Sequence, residues 1–149
     1  MRTFVITLLG LAASTPVAAC SCPDFGTPEE AVVRSWSSAT AVVAAEAFEL
    51  SERIEPTELR EGYVQRAQWR VTQHWKGPHP VGMVLSTETN VRCCLCGERV
   101  TVGEVRLLYL WGAEPYSLSI CSVGGLLGES RDQIPILDAL SEGSQVPGT

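Results

Sequence analysis

The chain has 149 residues, with 11 basic and 17 acidic side chains, a formal net charge of −6 and six cysteines. That length suits one compact domain and is too short for two ordinary ones. An acidic chain with a single lysine, Lys76, and no basic run is poorly suited to nucleic acid or to an anionic membrane surface.

Residues 1–19 read as a secretory signal peptide. Met1-Arg2 is a short basic start, Phe4 to Ala13 is apolar apart from Thr7, and Pro16-Val17-Ala18-Ala19 supplies small residues for cleavage. Cutting after Ala19 makes Cys20 the first residue and predicts a secreted or periplasmic protein. The remaining 130 residues carry 10 basic and 17 acidic side chains, a net charge of −7. Beyond the signal no apolar run approaches the roughly 20 residues that span a bilayer. Val17-Ala18-Ala19-Cys20 is also an imperfect lipobox, and a lipid on Cys20 would occupy its thiol and its amine. The intact Cys20-Ser21-Cys22 pattern favours plain cleavage.

Thr27-Pro28-Glu29-Glu30 predicts a helix start, with Thr27 as N-cap and Glu30 closing a capping box. That helix is expected to reach about Ser37. Thr40 to Leu50 reads as a strand, although its alanines leave helix open. Ser51 to Gly62 is charged, contains Pro56 and reads as a solvated loop. Gly62 to Trp75 has a clear period of two. Tyr63, Ala67, Trp69, Val71 and Trp75 are expected on a buried face, and Arg66, Gln68, Arg70, Thr72 and His74 on a wet one. Met83 to Thr89 is a further strand. Val105 to Trp111, bounded by Gly103 and Gly112, reads as a strand buried on both faces. Ser117 to Val123 follows, broken by Gly124 and Gly125. Ser130 to Leu140 has helical spacing at Ile134, Leu137 and Leu140, with Pro135 marking a late start. Residues 20–141 then form the domain, and 142–149 a polar, disordered tail. Five strands with a helix at each end predict a mainly β fold, a closed or nearly closed antiparallel barrel with Greek-key order.

All six cysteines, Cys20, Cys22, Cys93, Cys94, Cys96 and Cys121, lie at or after the expected cleavage point. An even count in an exported small domain reads as a disulfide framework whose pairing the sequence leaves open. Loops of about 75 to 100 residues would each contribute about 4 to 5 kcal/mol when closed. Cys93, Cys94 and Cys96 with His74 or His79 are a candidate zinc or copper(I) site. The spacing is too tight for the usual paired ligands, so no metal and no cofactor is expected. Redox catalysis through Cys94 and Cys96 lacks the expected βαβ setting. His74 and His79 read as surface residues. No nucleophile–base order, phosphate loop or carboxylate pair stands out, and no enzyme is expected. Trp36, Trp69, Trp75 and Trp111 invite comparison with a sugar platform, but Trp69 and Trp75 share a predicted face, which favours core packing.

The ordered set Cys20-Ser21-Cys22-Pro23, Trp75-Lys76-Gly77, Cys96-Gly97, Gly103 with Leu107-Leu108-Tyr109-Leu110, and Ser119-Ile120-Cys121-Ser122 resembles the inhibitory domain of tissue inhibitors of metalloproteinases, the netrin-like family. The match runs over nearly all of Cys20 to Leu140. The resemblance implies a five-stranded barrel of the oligonucleotide/oligosaccharide-binding (OB) type with flanking helices. It implies the disulfides Cys20–Cys96 and Cys22–Cys121. It also implies a zinc metalloprotease as partner, with the Cys20 amine and carbonyl on the protease's zinc and the Ser21 side chain in its specificity pocket. Cys93 and Cys94 have no counterpart in that pattern, and no Cys follows Cys121. Adjacent cysteines sit about 3.8 Å apart, against roughly 4.4–6.8 Å in ordinary disulfides. A labile Cys93–Cys94 bridge or two reducible thiols is therefore expected. Cys94 is an alternative partner for Cys20, and the family's Cys-Gly favours Cys96. The alternative function is a non-inhibitory envelope or extracellular module that binds a protein or a glycan.

Overall fold

The computed structural model describes residues 22–56, 61–91 and 96–144. The expected signal peptide and its cleavage point lie outside the described residues.

Helix α1, Pro28–Ser38, begins as its residue types dictate. Thr27 Oγ1 accepts from the Glu30 backbone N–H at 3.3 Å, and the Glu30 carboxylate accepts from the Thr27 N–H at 2.8 Å. Both satisfy donors that a helix start leaves open. The helix buries Ala31, Val32, Ser35 and Trp36.

Strands β1, Ala41–Pro56, and β2, Glu61–Lys76, form one long antiparallel hairpin. The solvated loop expected over Ser51 to Gly62 is corrected: all but residues 57–60 belong to these two strands. Its charges misled because this end of the hairpin is wet. Arg53 pairs with Glu88 and Arg99 with Glu52, so the charged residues decorate paired backbone instead of breaking it. Strand β3, Val84–Asn90, pairs antiparallel with β2, and β4, Val105–Leu110, antiparallel with β1.

The strand expected over Ser117 to Val123 is replaced by two short ones, β5, Tyr116–Ser117, and β6, Gly125–Leu126. Between them the Ser119 and Ser122 hydroxyls accept from the Cys121 and Gly124 N–H groups and turn the chain. The sheet therefore has six strands, ordered β5-β3-β2-β1-β4-β6, where five were expected. It is also mixed, since β5 runs parallel to β3 while every other neighbouring pair is antiparallel.

Two apolar clusters hold this sheet. One joins Leu85 and Tyr116, from one end of the strand order, to Leu108 and Leu110 near the other, with Trp69 and Val71 between them. The sheet thus curls around it into a barrel-like half-barrel. The second cluster lies against the two helices and contains Val32, Trp36, Trp75, Leu107, Tyr109 and Leu137. Strand β1 alternates between them: Ala41, Val43 and Ala45 face the first, Val42 and Ala44 the second. Burial on both faces explains its unbroken run of small apolar residues. β4 does the same, as its sequence predicts.

Trp69 and Trp75 are both buried but not on one face. The β1–β2 register slips between Ala44 and Ala45 and again between Val42 and Val43. The first slip makes Thr72 an extra residue in β2 and shifts its two-residue period by one; at the second, Trp75 is itself the extra residue. Trp75 consequently packs with the helices, where its indole N–H donates to Asp138 at 2.7 Å. Tyr63, expected to be buried, is exposed near the tip of the hairpin, opposite Ile54.

A short 3₁₀ turn, Arg131–Gln133, leads into helix α2, Ile134–Ser144. Pro135 sits in the first turn, where its missing N–H costs nothing. The helix continues through residues 142–144, so these are not tail; residues 145–149 lie outside the described part. Among the described residues no helix is long and apolar enough to cross a membrane.

Candidate interaction site at the N-terminal anchor

Cys22 and Cys121 form a disulfide with their Cα atoms 5.1 Å apart, across a sequence separation of 99. This is the pairing the resemblance implies. Cys96 is also disulfide-bonded, to a partner outside the described residues. Cys20, Ser21, Cys93 and Cys94 lie there too, so the Cys20–Cys96 bridge, any Cys93–Cys94 bridge and the Cys20-Ser21 contact residues remain expectations.

Cys96 and Cys121 belong to one built unit. Ile120 donates its N–H to the Cys96 carbonyl at 3.0 Å, which ties the Cys96 turn to the Cys121 turn. Cys96 has φ +56°, a left-handed conformation that non-glycine residues rarely adopt. The glycine after it has a separate reason. A Cβ on Gly97 would lie 1.8 Å from the Asn90 carbonyl oxygen. Gly124 is similarly confined, since a Cβ there would lie 2.1 Å from the Leu107 oxygen. Both turns thus press backbone against backbone.

Buried polar bonds lock the surrounding segment. Thr89 Oγ1 donates to the Leu118 carbonyl at 3.1 Å and accepts from the Glu98 N–H at 3.0 Å. The Gln65 amide accepts from the Val100 N–H at 2.8 Å and donates to the Val100 carbonyl at 3.1 Å. Arg106, only 5% exposed, lies between Glu98 and Glu104. Sequence reading missed these threonine, glutamine and arginine roles, because residues far apart in the chain supply the partners.

Beyond Cys22 the chain passes over a cavity of about 280 Å³, lined among others by Pro23, Phe25, Tyr109, Trp111, Leu118 and Cys121. Trp111 is 40% exposed and stacks on Tyr109 with centroids 6.4 Å apart and planes 22° from parallel. Its indole N–H donates to Ser38 at 3.1 Å. The Tyr109 hydroxyl donates to Gln133 at 2.9 Å. Burial, and then the nearby Asp132 charge, push the Tyr109 phenol above its ordinary pKa, so it stays a neutral donor. Larger open hollows lie along α1 and beside α2, and neither has an anchoring cysteine in its lining.

The two histidines make other contacts. His74 is exposed, with Nε2 2.9 Å from the Gly77 carbonyl. His79 corrects the surface reading: it is 7% exposed, edge-on to Tyr116, with Nε2 2.7 Å from the Tyr116 hydroxyl. The turn between Pro78 and Pro80 folds it inward. Among the described residues no group of three or more His, Cys, Asp or Glu side chains could hold a metal. Comparison with protein-family models and with curated proteins finds no match to this chain.

Proposed function

We propose that this chain is an exported netrin-like module that acts by presenting its anchored N-terminus to a zinc metalloprotease. Cys20 is the first residue of the processed chain in this reading. Its α-amine, with an ordinary pKa of about 7.7–8.0, loses its proton and enters the open position of the protease's zinc together with the Cys20 carbonyl. Ser21 enters the adjoining specificity pocket. The reading takes the curled sheet as an OB-type, Greek-key barrel, and pairs Cys20 with Cys96. Disulfides also accord with an oxidising extracellular or periplasmic location.

The observation that carries the proposal is the Cys22–Cys121 bridge. A chain terminus normally frays. Here the residue directly after the proposed contact pair is tied covalently to the barrel, which lowers the entropy lost when that pair is held by a partner. The test is an assay of the mature chain, beginning at Cys20, against a panel of metalloproteases, with a variant carrying one extra N-terminal alanine. Inhibition that the added alanine abolishes is the expected result. Inhibition that survives it would overturn the zinc contact.

The second reading is a non-inhibitory module that binds an envelope or extracellular protein or a glycan. The half-exposed Trp111 over a neutral cavity beside the anchor favours it. Pull-down from envelope extracts separates the two, because recovery of a metalloprotease released by zinc chelation counts against this alternative.

A further inference from the structure

We infer that the cavity between the N-terminal anchor and β4 is a receiving pocket for one apolar, aromatic side chain of a partner protein. Its walls are the rings of Phe25, Tyr109 and Trp111, with Pro23 and Leu118. Aromatic rings meet one another in offset or edge-on geometries that such a slot offers. Among the described residues no charged side chain lines it, although the chain carries a net charge of −6. A charged guest would lose its water there without gaining a partner.

Apart from the Ser117 hydroxyl, the polar side chains at the walls are each engaged within the protein. The Trp111 N–H bonds to Ser38 and the Tyr109 hydroxyl to Gln133, while the Ser119 and Ser122 oxygens take backbone N–H groups. A sugar needs several donors and acceptors aimed at its hydroxyls, so an aromatic side chain suits this slot better. At about 280 Å³ the cavity holds a side chain and not a folded segment. The Cys22–Cys121 bridge fixes one wall to the other, so little ordering is left for binding to impose. Pro23 and Cys121, the chain neighbour and the disulfide partner of Cys22, both line the pocket, so it lies close to the N-terminal segment. Its use against a protease rests on the reading proposed above, with the aromatic group standing on the rim of the protease cleft.

The test follows the indole N–H signals of the ¹⁵N-labelled mature chain, disulfides intact, during titration with N-acetyl-phenylalanine amide or with N-acetylglucosamine. The amide is expected to shift the Trp111 signal saturably, with a dissociation constant on the order of 1 mM, as suits a single side chain without its protein. The buried Trp36, Trp69 and Trp75 signals stay in place. Phe25→Ala weakens the response at least fivefold, with its urea midpoint measured alongside. A Trp111 response to the sugar and not to the amide would overturn the inference in favour of a glycan site, and no response to either would remove the pocket. These outcomes are independent of the added-alanine assay. A silent Trp111 with alanine-sensitive inhibition leaves the inhibitory reading standing and removes the pocket; a responsive Trp111 with alanine-insensitive inhibition does the reverse.

Discussion

Removing the Cys22–Cys121 bridge measures how strongly the barrel depends on its anchor. In the chain-entropy treatment a loop of about 100 residues contributes about 4.7 kcal/mol, and the sequence separation here is 99. A second bridge changes that figure. If Cys96 is bonded to Cys20, the unfolded chain is already short-circuited, and the Cys22–Cys121 bond closes a path of only about 27 residues, worth about 3.5 kcal/mol. If Cys96 is bonded locally, the full figure applies. Cys22→Ser with Cys121→Ser leaves the Cys96 bridge in place and no stray thiol from this pair. With a urea slope of about 1.5–2 kcal/mol per M, a loss of about 3.5 kcal/mol lowers the midpoint by about 2 M. Urea titration of both proteins, followed by tryptophan fluorescence, gives the difference directly. A loss under about 1 kcal/mol would refute the reasoning, since the anchor would then constrain neither the folded nor the unfolded chain. A loss near 5 kcal/mol would refute the Cys20–Cys96 pairing in particular.

Three further expectations concern the polar frame. Hydrogen bonds from Arg53, first of all, and then from Arg66 hold Glu88 down at about 2 against the opposing effect of partial burial. A lowered carboxylate pKa stabilises the fold above about 4.5, and that contribution fades as pH falls toward 2. Both arginines are 44% exposed, so the contribution is discounted to about 1–2 kcal/mol; Glu88→Gln should cost that at pH 7 and flatten the stability profile between pH 4.5 and 2, as urea titrations across that range would record. Arg106→Leu leaves Glu98 and Glu104 facing each other without their shared cation and should cost about 3 kcal/mol, a loss that adding Glu98→Gln partly restores in thermal melts. Gly97→Ala drives a methyl into the Asn90 carbonyl and should cost about 3 kcal/mol, with faster hydrogen exchange at the Ile120 amide that bonds to Cys96.

What could be read in the residues was what nearby residues decide. Thr27 to Glu30 specify their own helix start, and the two-residue alternation of Ala67, Trp69 and Val71 specifies a buried strand face. The readings that failed depended on partners far along the chain. Ser51 to Pro56 is hydrophilic, yet it is strand because Glu61 to Arg66 lies across from it. Trp75 changes face because of the slip against β1 between Ala44 and Ala45, which no pattern within β2 records. His79 looks like part of a polar turn until Tyr116 arrives from 37 residues away. In the candidate site, the pairing of Cys22 with Cys121 was reached through resemblance and not through spacing, and the left-handed Cys96 carries no mark in its side chain.

The Cys-Gly pair at 96–97 shows how the site and the fold constrain each other. Cys96 must be a cysteine to form its disulfide, and its backbone must turn left-handed where its carbonyl meets the Ile120 N–H. Gly97 must then pass against Asn90, the last residue of β3. The position of the Cys96 sulfur is therefore set by the β-sheet through two backbone contacts, and that of Cys121 is set by the same Ile120 turn. A single tether at Cys22 would leave the preceding residues free to swivel about one bond. With the proposed Cys20–Cys96 pairing, two tethers to turns that are themselves hydrogen-bonded together would fix the direction in which Cys20 and Ser21 leave the barrel. Direction, more than affinity for zinc, separates an inhibitor from a passing metal-binding amine, because the carbonyl and the amine must reach one ion together. In the inhibitory reading proposed above, Gly97→Ala should consequently weaken inhibition by more than its loss of stability accounts for. Assayed well below its melting temperature, at a concentration where the variant remains folded, it should show a raised inhibition constant with an unchanged folded fraction. An inhibition constant equal to that of the parent chain would mean that the turn serves the fold alone.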